Sequence, residues 1–100
     1  MGDAIPKAHK SIIDKRMQCF HCGKESDLQC HHIMKGLAYR WKAEEDGLFV
    51  MLCSDCHRYL HGKDGHLLDL QYKEIAERAW LKHYNKQIKD WIARYGKNFI

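Results

Sequence analysis

The sequence predicts a small α+β domain in which two short strands precede a run of helices. Three observations predict it. Residues 28–34 and 48–52 are strand-length stretches, the second apolar throughout. From Leu67 onward, apolar residues recur at three- and four-residue spacing, the period of a helix. Two Cys-x-x-Cys pairs, Cys19/Cys22 and Cys53/Cys56, bracket the strands and offer a staple for a core of marginal size.

The composition agrees. The chain has 100 residues, 45% hydrophobic and 30% charged, which is the balance of one globular domain. Its net charge of +4 suits a nucleic-acid partner without demanding one. The longest apolar run, residues 48–53, is far short of a membrane span, so no membrane association is expected. Residues 1–17 hold no apolar stretch of signal-peptide length, and Pro6 occupies the position where a myristoylation motif has Ser or Thr. A cytoplasmic location is therefore expected. Five cysteines and eight histidines in such a compartment point to metal rather than disulfides.

Charge divides the chain in three. Residues 1–18 carry four Lys/Arg against two acids and contain the only proline, and read as an extended or partly helical basic arm. Residues 19–66 carry six against seven, with all five cysteines and six of the histidines, and read as the chemical core. Residues 67–100 carry seven against four and read as a helical extension packed on that core.

Taken in order, Cys19 to Gly23 forms a knuckle closed by glycine. Residues 28–34 form the first strand, which ends in His31-His32-Ile33. Residues 35–47 are polar, with a glycine near each end, and read as a loop. Residues 48–52 form a buried strand. Ser54 is the expected N-cap of a helix over 55–61, stopped by Gly62. Leu68, Tyr72, Ile75, Ala76, Ala79, Trp80, His83 and Tyr84 mark a long helix that Asn85 breaks. Ile88, Trp91, Ile92 and Tyr95 mark a last helix, ended by Gly96. Trp80, Tyr84, Trp91 and Tyr95 are expected in the core or an interface.

A two-residue gap lets one tight turn aim both sulfurs of a cysteine pair at one ion. Cys19, Cys22, Cys53 and Cys56 thus supply the four soft ligands of a tetrahedral structural zinc site. The thirty residues between the pairs exceed the roughly 15–20 of a zinc ribbon, so an element is inserted between the knuckles. Cys30 directly precedes His31 and is expected on the opposite strand face, as a small core residue. His21 is expected to be an exposed loop residue.

His57 and His61 lie four apart on the short helix and share a face, the geometry by which two helical imidazoles chelate one ion. Three imidazoles can hold a catalytic divalent metal with open positions, and a fourth can act as a general base near neutral pH. His31 and His32 are adjacent on a strand, so one is expected to bind metal and the other to face the attacking water.

The order Cys19-x-x-Cys22, Leu28-Gln29-Cys30-His31-His32-Ile33, Leu52-Cys53-x-x-Cys56-His57-x-x-x-His61 resembles the HNH endonucleases. It is similar, more narrowly, to the small zinc-containing HNH proteins of bacteriophages and prophages. The motifs cover about residues 19–66, and the tail, residues 95–100, also resembles that group. The resemblance implies a ββα-metal, treble-clef-like core clamped by structural Zn²⁺. It implies that His31, His57 and His61 hold a catalytic divalent metal (Mg²⁺, Mn²⁺, Ni²⁺ or Zn²⁺) and that His32 is the general base. The implied activity is DNA nicking, one strand per active site, leaving a 5′ phosphate and a 3′ hydroxyl. Cutting both strands would need a homodimer or a partner, and phage packaging (terminase) machinery is the partner that the resemblance suggests, within a bacterial host cell. The sequence departs from the family at its middle asparagine, where it has Gly47-Leu48-Phe49.

Arg40, Lys42, Arg58, Lys63 and His66 are the candidate DNA contacts. The first two belong to a basic-aromatic cluster with Tyr39 and Trp41 in the expected loop. Two other readings remain: a non-catalytic zinc-stapled nucleic-acid-binding module, and a zinc domain for protein interaction. Neither requires four histidines.

Overall fold

The computed structural model describes residues 10–100. Among the described residues the fold is α+β, a two-stranded sheet with four helices: β1 (Leu28–His32), α1 (Leu37–Asp46), β2 (Phe49–Cys53), α2 (Ser54–His61), α3 (His66–Tyr84) and α4 (Ile88–Tyr95). No helix among them is long and apolar enough to cross a membrane.

β1 and β2 pair antiparallel, with His31 opposite Val50 and Cys30 opposite Met51. Every residue of β2 is buried, because both sheet faces are covered. Val50 and Leu52 face the main core, which includes Ile33, Leu48, Leu60, Tyr72, Ala76, Trp80, Trp91 and Tyr95. Phe49 and Met51 face the other way and cluster with Cys30. Strand alternation therefore puts Cys30 and His31 on opposite faces, as expected. The strands run 28–32 and 49–53, offset slightly from the expected 28–34 and 48–52.

The largest departure is residues 35–47. They are not a loop: α1 fills most of them, so Tyr39, Arg40, Trp41 and Lys42 are helical. The segment Leu-Ala-Tyr-Arg-Trp-Lys-Ala-Glu-Glu-Asp is rich in strong helix formers. It buries only Ala43 and Asp46, so it has no apolar stripe for a periodicity argument to detect. The two glycines that suggest a loop are its caps. Gly36 has φ 97°, and Gly47 has φ 81° with its N–H donated back to the last turn. Gly47 is also a close approach: a Cβ there would lie 2.5 Å from the Lys10 carbonyl oxygen.

Asp46, at the C-terminal end of α1, ties that helix to α3 and α4. Its carboxylate accepts hydrogen bonds from Trp80 Nε1 (2.9 Å), Tyr95 Oη (2.6 Å) and Arg94 Nε (2.6 Å), and its carbonyl accepts from Tyr84 Oη (2.8 Å). Burial and the Asp46 carboxylate push the Tyr95 hydroxyl far above its ordinary pKa. Trp80, Trp91 and Tyr95 are buried as expected, whereas Tyr84 lies at the surface edge of the same cluster.

The expected arm falls partly outside the described residues, which begin at Lys10. Within them, Ser11 Oγ donates to the Phe49 carbonyl at 2.6 Å, and Ile12 N–H to the Gly47 carbonyl at 3.0 Å. Ile12 and Ile13 pack on the main core. A second correction concerns α2. Its N-cap is Cys53, whose extended backbone follows directly from β2, and Ser54 is the first helical residue, hydrogen-bonded through Oγ to the Asp27 carboxylate.

Candidate metal centres

The Cys-x-x-Cys turn at Cys19 is closed by backbone bonds from Gly23 N–H to the Cys19 carbonyl (2.8 Å) and from Cys19 N–H to the Lys24 carbonyl (2.7 Å). Phe20 N–H donates to the Met51 carbonyl at 2.8 Å and pins this knuckle against β2. The second pair sits at the junction of β2 and α2. All four sulfurs lie within 4.8 Å of one another, and Cys22 Sγ is 3.7 Å from Cys53 Sγ. A tetrahedral zinc with Zn–S bonds of about 2.3 Å would place its sulfurs about 3.8 Å apart. None of the five cysteines is in a disulfide. Cys19, Cys22, Cys53 and Cys56 are thus positioned to hold a structural metal, and an all-sulfur tetrahedral set suits zinc.

The thiols are electrostatically unequal. Burial pushes the Cys19 pKa up, but N–H groups of Cys22, Cys53 and His21 aimed at its sulfur outweigh that and bring it down to about 6. Burial and the neighbouring sulfurs push Cys56 far up. Four thiolates can converge here only around a cation.

The second cluster joins His31 of β1 with His57 and His61 of α2, their ligand atoms also within 4.8 Å of one another. His57 Nε2 and His61 Nε2 are 3.0 Å apart. Metal–nitrogen bonds of about 2.0–2.1 Å give ligand spacings of about 2.9–3.4 Å, so this pair is already at chelating distance. His31 is 2% exposed, and its Nε2 is buried without a hydrogen-bond partner. An orphaned buried nitrogen of this kind is costly unless something fills it. Burial, with His57, His61 and Lys35 adding to it and Asp69 opposing, lowers the His31 pKa to about 3. His31 is therefore a neutral imidazole at ordinary pH and has no proton to lose on binding metal. The residues present fit a divalent ion with three nitrogen ligands.

A cleft of about 240 Å³ opens over these histidines, lined by Cys30, His31, His32, Lys35, Gly36, Arg40, His57 and His61. His32 is buried at the cleft wall, with Nε2 3.5 Å from Glu44 Oε1 of α1.

The basic candidates divide. Arg40 lines the cleft. Lys42 does not. Its Nζ donates to the Arg94 carbonyl at 3.2 Å and lies 5.5 Å from the Tyr39 ring centre, bracing α1 against α4. Arg58 is exposed on α2 near Asp55, and Lys63 and His66 are exposed beyond it; none lines the cleft. His21 is exposed, as expected, with Nδ1 3.2 Å from Tyr72 Oη. His9 lies outside the described residues.

Sequence reasoning missed three residues at this site: Lys35, Glu44 and Gln29. Lys35 and Glu44 belong to the stretch read as a loop. Gln29, whose Oε1 is 2.5 Å from His57 Nδ1, gave one available signal: it precedes His31 by two and so shares its strand face.

No family model matches the chain, and no curated protein or solved structure matches it significantly.

Proposed function

We propose that this chain is a metal-dependent DNA endonuclease of the HNH type, and that β1, β2 and α2 form its ββα-metal unit. One observation carries the reading: three histidines at ligand distance share a cleft with a fourth, His32, that is not part of their cluster. Structural stapling by the cysteines requires none of these four.

His31, His57 and His61 would hold a divalent cation, Mg²⁺, Mn²⁺, Ni²⁺ or Zn²⁺. Such an ion, when bound, neutralises charge at the scissile phosphate and stabilises the leaving 3′ oxygen. His32 takes the proton of the attacking water, and Glu44, 3.5 Å from its Nε2, stabilises the imidazolium that forms. Arg40 and Lys35, on the cleft wall, attract the non-bridging phosphate oxygens. The products are a 5′ phosphate and a 3′ hydroxyl on one strand. The family's asparagine is replaced by Gly47-Leu48-Phe49. Here the Leu48 carbonyl accepts from Ile33 N–H at 3.0 Å, a backbone contact that holds the residue after His32 in its place.

Cleavage of both strands would need a second copy or a partner, and the phage packaging machinery is the partner we infer. The reducing cytoplasm of a bacterial host suits five reduced thiols. The missing asparagine favours a second reading, a zinc-stapled DNA-binding module without catalysis. Nicking of supercoiled plasmid by zinc-loaded protein, with each divalent metal in turn, separates the two. Salt-sensitive binding without any nicking supports the second reading and sinks the first.

A further inference from the structure

We propose that Gln29 is a positioning residue for the histidine centre, one that fixes the tautomer of His57 and keeps the bound ion strongly Lewis-acidic. The inference rests on the metal-binding part of the reading above, not on nuclease activity.

Gln29 and His31 alternate on β1 onto the same face, opposite Leu52 and Val50. Gln29 Oε1 lies 2.5 Å from His57 Nδ1. A carbonyl oxygen can only accept, so this contact puts the ring proton on Nδ1. His57 Nε2 then presents a lone pair to the space it shares with His61 Nε2, 3.0 Å away. Were the amide reversed, its N–H would call for a lone pair on Nδ1. The proton would move to Nε2, and His57 could not be a ligand. One strand thus supplies a ligand, His31, and the group that makes a second ligand, His57, competent.

The choice of an amide matters. Metal-bound histidines often donate to a carboxylate, which raises their basicity and offsets part of the ion's charge. A neutral amide fixes the same tautomer without that offset. The ion would keep more of its charge for whatever fills its open positions, at some cost in affinity.

The test is calorimetric titration of Ni²⁺ into protein whose four-cysteine site is filled with zinc, without DNA. Zinc content and far-UV circular dichroism serve as folding controls. Gln29→Leu is expected to weaken Ni²⁺ binding about 10–100-fold. Gln29→Glu is expected to bind at least as tightly as wild type, because it restores the acceptor and adds charge. A merely structural role for Gln29 would not make the charged variant the tighter one. Gln29→Leu binding within about twofold of wild type would overturn the proposal, as would Gln29→Glu binding as weakly as Gln29→Leu. Wild type that binds no second ion would overturn it too. Wild type that binds Ni²⁺ as expected but never nicks DNA would sink the nuclease reading and leave this assignment standing.

Discussion

Cys56 and His57 are consecutive residues that serve two different clusters. The Cys56 sulfur joins Cys19, Cys22 and Cys53, and the His57 imidazole joins His31 and His61. The first turn of α2 is therefore held by the cysteine centre while it presents a ligand of the histidine centre. We therefore predict that the two centres are ordered: the cysteine centre must form for the histidine centre to exist.

Cys56→Ser is expected to lose zinc and, with it, the second ion. A structural zinc contributes on the order of 10 kcal/mol in zinc-finger peptides, more than a domain of this size can spare. Metal analysis should find neither ion retained, and circular dichroism should show an unfolded chain. A folded Cys56→Ser protein with an intact histidine centre would refute the ordering.

The reverse substitution separates the sites. His57→Ala should keep the zinc and the fold but bind no second ion. The expected metal content falls from two equivalents of wild type, loaded at both centres, to about one. Two equivalents in His57→Ala would place the second ion elsewhere.

How much of this was legible in the sequence depends on the kind of signal. Cys19, Cys22, Cys53 and Cys56 announce themselves by spacing, and His57 and His61 by a helical interval, because chelation needs nearby ligands in register. α1 could not be read the same way. It is a polar helix between two glycines, with no apolar face, and only its docking makes it informative. Asp46 was hidden for that reason. Its role depends on Trp80, Arg94 and Tyr95, residues 34 to 49 positions away, and no local pattern encodes such a meeting. Glu44 and Lys35 were lost with the same misread segment.

Asp46→Ala tests that hub. It leaves the buried Trp80 and Tyr95 donors without their carboxylate, and the Arg94 guanidinium, which is 27% exposed, with Glu45 as its remaining carboxylate partner. Breaking a largely buried pair of this kind costs about 3 kcal/mol. Urea denaturation of the zinc-loaded variant should show that loss, with zinc content unchanged. A change within about 0.5 kcal/mol would mean that the hub contributes no stability.

His31 gives a pH dependence with a definite sign. Burial, His57, His61 and Lys35 lower its pKa from 6.5 to about 3, against Asp69. Between those values the unfolded chain binds a proton that the folded chain does not. Without an ion at the histidines, stability therefore falls as pH drops below about 6.5 and continues falling until about 3. Urea midpoints over roughly pH 5.5 to 7 should fall more steeply toward acid in wild type than in His31→Leu. Parallel curves would contradict a buried neutral His31.

The most direct measurement is conversion of supercoiled plasmid to the nicked circle by zinc-loaded protein with added Mg²⁺, Mn²⁺ or Ni²⁺, wild type beside His32→Ala. Wild type is expected to nick the plasmid only with added metal. His32→Ala is expected to lose about 10²–10⁴-fold, the range of a lost general base, with the second ion still bound. No nicking with any metal, or equal nicking by His32→Ala, would contradict a metal-dependent nuclease with His32 as its base.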